Sequence, residues 1–200
     1  MSDKFVQALK NRRSVYALGN KLPVSQEEVT ELVKTVVKES PSSFNSQSSR
    51  VIVLYGEHHK KLWEIVKKAL KPVLAAEAFA ATEEKVNKSF ASGAGTVLFY
   101  EDQQVVKRLQ EKFPLYADNF PVWSEHSSAM AQLAVWTALA EEGVGATLQH
   151  YCPLIDDAVA AEWKVPSTWK MRAQLPFGEP LAKPVEKSYM PDEERFLVFE

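Results

Sequence analysis

Apolar residues recur at helical spacing in seven segments of the chain, which predicts seven helices. They span residues 3–11, 26–39, 59–70, 73–92, 103–113, 124–142 and 156–163. The second begins behind Ser25, whose hydroxyl forms a capping box with Glu28. It ends near Glu39, because Pro41 biases the residue before it out of helical geometry. The sixth is the longest and has little polar surface in its middle, so we predict that it is the central buried helix.

Four or five extended segments lie between and after these helices. Residues 50–55, 96–100, 169–175 and 195–199 are predicted strands, and residues 146–151 form a short extended piece. Helices and strands do not alternate regularly, so the predicted fold class is α+β. The Pro-rich residues 176–191 are predicted to form an extended arm that reaches over a neighbouring molecule, because so long a stretch without regular structure is unusual within a compact domain.

Composition narrows the class of protein. The chain has 200 residues, 46% hydrophobic and 25% charged, which suits one domain spanning residues 1–200 with a substantial core. The net charge of −2 gives no general attraction to nucleic acid or to anionic membranes. Residues 1–10 are too polar for a signal peptide, and no apolar run reaches the roughly 18 residues of a membrane span, so we expect a cytoplasmic protein.

The sequence lacks the signatures of several classes of enzyme and binding site. There is no P-loop, and Gly93 and Gly95 precede a strand without the third glycine of the dinucleotide fingerprint. There is no Gly-x-Ser-x-Gly nucleophile elbow. No two histidines have the i, i+4 spacing of a helical zinc site, so no metal is predicted. The single cysteine, Cys152, is expected to be a small buried hydrophobe rather than a reactive thiol.

A cluster of phosphate-type ligands follows the first helix. The guanidiniums of Arg12 and Arg13 and the hydroxyl of Ser14 suit a phosphate group, and Lys187 in the late arm offers a second positive charge. The alternative is that the basic pair only complements the dipole of the first helix.

A polar loop about thirty residues later adds groups suited to a polyol chain or a heteroaromatic edge. These are Ser42, Ser43 and Asn45, the last of which both donates and accepts hydrogen bonds. Three aromatic residues are candidates for a substrate-stacking wall, although they also suit ordinary core packing. They are Phe44, Phe120 and Trp123.

These motifs, in this order, resemble the FMN-dependent nitroreductase family, and more closely its short branch of fungal and bacterial stress-induced nitroreductases. The family's Arg-(Arg/His)-Ser turn is matched by residues 12–16, and its Pro-Ser-x-x-Asn-x-Gln loop by residues 41–49. A Gly-x-Gly turn after the long helix is matched by residues 143–145, and the basic motif of the late arm by residues 187–189. The resemblance covers nearly the whole chain.

The resemblance implies a fold and an activity. The fold would be nitroreductase-like, with a central, mostly antiparallel sheet of four to five strands flanked by helices. Two chains would form an intertwined homodimer with an extended C-terminal arm. The activity would be that of an FMN-dependent oxidoreductase that uses NAD(P)H to reduce nitroaromatics, quinones or similar electron-poor acceptors by a ping-pong hydride-transfer mechanism. The flavin would carry the chemistry, so no protein acid or base is assigned.

The resemblance also implies contacts to the phosphate end of FMN. Arg12 and Lys187 would bind the phosphate, with Arg13 and Ser14 near the phosphate and the ribityl chain. Tyr16 stands where the family usually has a cation near the N1–O2 edge of the flavin.

Contacts to the ring would come from two places. Ser42, Ser43 and Asn45 would reach the flavin from the partner subunit, so that the dimer would be required for activity. Gln149 and His150 would lie beside the ring near its N5 edge, largely through backbone groups.

Three departures from the family pattern keep other functions open. Tyr16 and Tyr189 replace cations, and residues 48–49 are Ser-Ser where the family has Pro-Trp. The missing cations favour, as an alternative, a non-catalytic protein that stores or senses FMN. A further alternative is a scaffold or partner-binding protein without a cofactor.

Overall fold

Seven α-helices and five strands follow one another along residues 3–200, the part of the chain that this computed structural model describes. The helices are α1 (Asp3–Asn11), α2 (Gln26–Glu39), α3 (Gly56–Leu70), α4 (Ala76–Ser89), α5 (Gln103–Lys112), α6 (Asn119–Glu141) and α7 (Asp156–Trp163). The strands are β1 (Leu18–Gly19), β2 (Ser49–Tyr55), β3 (Gly95–Asp102), β4 (Gly145–Ala146) and β5 (Trp169–Pro180). Short 3₁₀ turns lie at Ser43–Asn45, Pro114–Tyr116 and Asp192–Glu194.

The five strands form one sheet in the order β1-β5-β3-β2, with β4 also paired to β5. Every pairing is antiparallel, and all eight residues of β3 are buried. Successive β3 side chains alternate between two hydrophobic clusters. Leu98 and Tyr100 lie in the cluster with α3 and α7, whereas Val97 and Phe99 lie in the cluster with α2 and α6. The sheet is thus covered by helices on both faces, and the predicted α+β fold, with a central antiparallel sheet flanked by helices, is confirmed.

Local sequence signals set the ends of α2 as predicted. The Ser25 hydroxyl accepts a hydrogen bond from the Glu28 amide at 3.1 Å, and the Glu28 carboxylate accepts one from the Ser25 amide at 2.8 Å. Ser40, the C-cap, is extended because Pro41 follows it.

The long helix α6 begins earlier than predicted. It begins at Asn119 instead of Ser124, because Pro121 falls in the first turn, where backbone amides have no helical partner. It ends as expected, with Gly143 at a φ of +73° just beyond the helix. None of the helices in residues 3–200 is long and apolar enough to cross a membrane.

The prediction that α6 is the central buried helix is wrong for one of its faces. Val122, Met130 and Leu133 form a stripe that is exposed by 53%, 42% and 44%, and we call it the α6 stripe. An apolar helical pattern indicates burial, but it does not say whether the cover comes from the same chain or from another.

The C-terminal region also corrects the prediction. Residues 176–180 belong to β5, so the extended arm begins at Leu181. Residues 195–199 do not form the predicted strand, because no other strand in the described part of the chain pairs with them, and an isolated strand cannot satisfy its backbone groups. Their apolar side chains, from Phe196 to Phe199, are 57% to 90% exposed.

A buried histidine makes the stability of the fold depend on pH. His59 is 2% exposed, and its Nδ1 lies 2.9 Å from the Thr96 hydroxyl oxygen. Burial is the main cause that lowers the pKa of His59 to about 4, against which its hydrogen bond to the Ala91 carbonyl acts. The imidazole is therefore neutral in the folded protein at a pH where the unfolded chain already binds a proton.

We expect the free energy of unfolding to fall by roughly 2 to 3 kcal/mol through His59 as the pH drops from 7 to 4.5. The loss starts below the unfolded pKa of about 6.5 and is complete near the folded value. Urea titrations of the wild type and of His59→Gln at several pH values measure it. The difference between their pH profiles isolates His59 from the carboxyl groups, and parallel profiles would contradict the prediction.

Candidate functional site

A cationic cleft of about 580 Å³ lies between the turn after α1 and the first part of the arm. Its lining includes four cationic side chains and one carboxylate. The cations are Arg12, Arg13, Lys183 and Lys187, and the carboxylate belongs to Glu186. The structure therefore brings together five of the predicted cofactor ligands, which are Arg12, Arg13, Ser14, Tyr16 and Lys187.

Backbone pairing on both sides fixes the turn that carries the arginines. The Val15 amide donates a hydrogen bond of 3.0 Å to the Ala146 carbonyl of β4, and the Leu181 amide donates one of 2.8 Å to the Ala17 carbonyl. The Arg13 guanidinium donates to the Val185 carbonyl. The turn is thus held between the end of the α6–β4 connection and the arm, which closes the cleft.

Arg12 has unused donor capacity inside this cleft. Its guanidinium carbon lies 4.3 Å from the centroid of the Trp136 ring, and its Nε is buried without a hydrogen-bond partner among the described residues. Burial and, secondarily, the neighbouring Arg13 lower the pKa of Arg12. A buried anion would supply the missing acceptor and offset both effects, so the cleft is suited to a phosphate group.

A fifth cation stands next to Tyr16. The Lys85 ammonium of α4 lies 5.7 Å from the centroid of the Tyr16 ring, which is 48% exposed at the cleft. Neither Lys85 nor Lys183 was predicted from the sequence. Lys85 lies on a helix with many charged residues, and nothing in its local sequence distinguishes it from its neighbours.

The second group of predicted ligands lies in a strained loop, residues 42–47. Three of its non-glycine residues, Phe44, Asn45 and Gln47, have φ values of 56°, 49° and 50°. The Ser42 hydroxyl accepts a 2.9 Å hydrogen bond from the Gln47 amide, which closes the loop. Left-handed backbone at a bulky residue such as Phe44 is uncommon and concentrates at functional sites.

Phe44 is the centre of an aromatic cluster. Its ring centroid lies 4.8 Å from that of Phe113, 5.5 Å from that of Phe120 and 6.4 Å from that of Trp123. The three residues proposed as a stacking wall therefore do lie together. Phe44 remains 53% exposed, so the cluster keeps an open aromatic face.

The cationic cleft and the aromatic cluster are not adjacent within one chain. Trp136, which packs against the Arg12 guanidinium, lies thirteen positions after Trp123 of the cluster on the same helix. At 1.5 Å per residue, this places the two groups about 20 Å apart along α6. Gln149 exchanges backbone hydrogen bonds of 2.7 and 2.9 Å with Gln174 of β5, while the side chain of His150 is exposed.

Comparison with known proteins defines the class as an oxidoreductase. The model of the Nitroreductase family matches residues 9–179, and the chain therefore belongs to this family, as its motifs predicted. HBN1 of Saccharomyces cerevisiae is 37% identical over 188 residues, covering 93% of each chain. The nitroreductase FRM2 of the same yeast is 35% identical over 188 residues, again covering 93% of each chain.

The solved structures include a bacterial nitroreductase with higher identity. CinD from Lactococcus lactis, in complex with nicotinic acid, is 51% identical, with a TM-score of 0.91 over 98% of this chain and 100% of that one. The same protein in complex with 4-nitrophenol gives a TM-score of 0.89 at 51% identity over the same shares of the two chains.

Proposed function

We propose that this protein is an FMN-dependent oxidoreductase that uses NAD(P)H to reduce nitroaromatics, quinones or similar electron-poor acceptors. The buried, unpaired Nε of Arg12 in a cationic cleft is the observation that carries the proposal. Membership of the Nitroreductase family supports it. The complexes of CinD with nicotinic acid and with 4-nitrophenol support a slot that takes both a nicotinamide-like ring and a nitroaromatic.

In this proposal, different residues of the cleft contact different parts of the cofactor. Arg12 and Lys187 hold the phosphate, whose charge of nearly −2 is opposite in sign to the net positive charge of the lining. Arg13 and Ser14 contact the phosphate and the ribityl chain. Lys85 supplies, from α4, the positive charge beside the flavin that Tyr16 itself lacks. This positive charge would stabilise the negative charge of a reduced flavin.

The remaining ligands come from a second copy of the chain. The α6 stripe is centred between Trp123 and Trp136, since Met130 lies midway along that stretch. A two-fold axis near this point sets the two α6 helices side by side in opposite directions. The partner's loop 42–47 then lies at this chain's cleft, and each site is completed by Ser42, Ser43 and Asn45 of the other copy.

The exposed end of the arm suits the same homodimer. β2 is the terminal strand of the sheet order, so one edge lacks a partner among residues 3–200. Residues 195–199 have the composition of a strand and no partner of their own. Pairing between this segment and the partner's β2 would cover both the open edge and the exposed side chains.

The protein's part in the reaction is binding and orientation. FMN, when bound, would supply the redox chemistry, which is hydride transfer from NAD(P)H to the acceptor. Phe44 and the half-buried Trp123 present an aromatic face on which a planar acceptor stacks, while Phe120 is buried and supports this face from behind. Gln149 and His150 lie after β4. Because both backbone groups of Gln149 pair with Gln174, the backbone group proposed to meet the ring near N5 is that of His150.

The visible spectrum of the purified protein, with and without NAD(P)H in the absence of air, tests this function. We expect flavin bands that bleach with NADH or NADPH and return when a nitroaromatic or a quinone is added. Bands that persist with both nucleotides would favour the storage or sensing alternative. A protein that stays colourless after incubation with FMN would contradict the proposal altogether.

A further inference from the structure

A buried carboxyl group lies directly behind loop 42–47. Glu101 of β3 is fully buried, and its position in the alternation of the strand places its side chain on the face covered by α2 and α6. The Ser48 hydroxyl donates to one carboxyl oxygen at 2.6 Å, and the Ser49 hydroxyl donates to the other at 2.5 Å. This arrangement suits an ionised carboxylate, which only accepts.

Few charges face Glu101. Glu125 of α6 and Arg172 of β5 are its charged neighbours, and they form an ion pair with each other. Burial is the main cause that raises the pKa of Glu101, aided by Glu125, while the two serine hydroxyls and Arg172 act against it. The two serines are thus the direct hydrogen-bond partners of the carboxyl group.

The serines connect this carboxyl group to the loop. Ser48 follows Gln47, the last residue of the loop, and its carbonyl accepts a 2.9 Å hydrogen bond from the Asp102 amide. Arg50 donates to the Gln47 carbonyl and pairs with Asp102 at 3.1 Å. Two neighbouring acidic residues of β3 therefore anchor the exit of a loop with three left-handed residues. Such strained backbone persists only where its surroundings fix it.

We propose that Glu101 is a positioning residue that holds loop 42–47 in its ligand-binding conformation, and that protonation of its carboxyl group releases the loop. When ionised, Glu101 accepts from both serines; when protonated, it donates from one oxygen, so one serine must reverse from donor to acceptor and both hydrogen bonds lose their charge assistance. Binding of FMN therefore weakens as the pH falls through the pKa of Glu101. This inference rests on the proposed function, in which the loop contacts the flavin.

Glu101→Gln tests the proposal, because the amide keeps the size of the side chain but replaces one acceptor with a donor. We expect faster hydrogen–deuterium exchange in peptides covering residues 42–47 and a roughly ten-fold weaker FMN affinity at pH 8. The pH dependence of the FMN affinity should flatten in the variant. The ratio of the two dissociation constants removes the titration of the FMN phosphate, whose second pKa is about 6.

Matched variants separate the possible outcomes. Glu125→Gln makes the same substitution at a charged neighbour of Glu101 and leaves both serine hydrogen bonds in place. It should therefore leave hydrogen–deuterium exchange in residues 42–47 unchanged. If Glu101→Gln does not fold, the double variant Ser48→Ala/Ser49→Ala removes the same two hydrogen bonds. Unchanged loop exchange in a folded variant would overturn the positioning role.

Two further outcomes keep this role distinct from the proposed function. Faster loop exchange with unaltered FMN binding would support the positioning role of Glu101 while removing the loop from the cofactor site. No FMN binding by the wild type would refute the proposed function, and the exchange data would still test the positioning role.

Discussion

Replacing Arg12 with methionine is expected to weaken FMN binding about a hundred-fold. Charge-assisted hydrogen bonds contribute roughly 1.5 to 3 kcal/mol each, and Arg12 is the cleft residue with a buried donor that has no hydrogen-bond partner among residues 3–200. Methionine keeps the contact with the Trp136 ring but loses the charge and the donors. Titration of the cofactor-free protein, followed by the fluorescence of free FMN, measures the dissociation constant.

We expect Arg12→Met to affect the stability of the cofactor-free protein differently from the affinity for FMN. Desolvation and Arg13 both disfavour the charged form of Arg12, so methionine is not expected to lower the melting temperature. Arg12→Lys is the matched control, because it retains the charge without the planar fork, and we expect about a ten-fold loss of affinity. Wild-type affinity in Arg12→Met would place the phosphate elsewhere.

Local chemistry made part of this site predictable. The capping box and Pro41 fix α2, and therefore fix where the polar loop begins. The turn that carries Arg12 follows directly from the end of α1. These features depend on residues a few positions apart, and such local patterns can be recognised directly in a sequence.

Features that depend on distant residues were not predictable in the same way. Lys85 meets Tyr16 only because α4 lies beside the turn. Glu101 follows a run of hydrophobic residues in β3, and its role is visible only when Ser48 and Ser49 are paired with it across the sheet. These serines occupy the positions where the resembled family has Pro-Trp, so this departure has a partner on β3.

The α6 stripe and the arm show a different limit. Apolar periodicity in α6 and strand-like composition in residues 195–199 predicted burial and pairing, yet both segments are exposed in one chain. Each pattern indicates that the residues are covered or paired, but it does not indicate which molecule covers them or pairs with them. The proposed homodimer would reconcile both predictions with the structure, because a second copy of the chain would cover both segments.

Among substitutions away from the cationic cleft, the largest effect on FMN binding is expected from Leu133→Glu on the α6 stripe. It lies away from the cationic cleft, but it would place a charge in the centre of the proposed dimer interface, where burial without a partner costs several kcal/mol. We expect a folded monomer that does not bind FMN measurably. Light scattering after size-exclusion chromatography and FMN titration measure the two effects.

Val73→Glu provides the matched control for this variant. Val73 is 59% exposed in the connection between α3 and α4, so the same added charge should leave the dimer and the affinity for FMN unchanged. A Leu133→Glu monomer with wild-type affinity would show that the cofactor site is complete within one chain.

Mixed dimers distinguish a shared site from a merely stabilising interface. In the proposed homodimer, each site takes Arg12 from one copy and the loop with Ser42, Ser43 and Asn45 from the other. Co-expression of Arg12→Met with a loop variant, Ser42→Ala/Ser43→Ala/Asn45→Ala, then gives heterodimers with one intact site and one doubly altered site. Random assembly should restore about a quarter of the wild-type sites, although neither variant binds tightly alone. If Arg12 and the loop serve the same site within one chain, mixing restores none, because every chain still carries a defect.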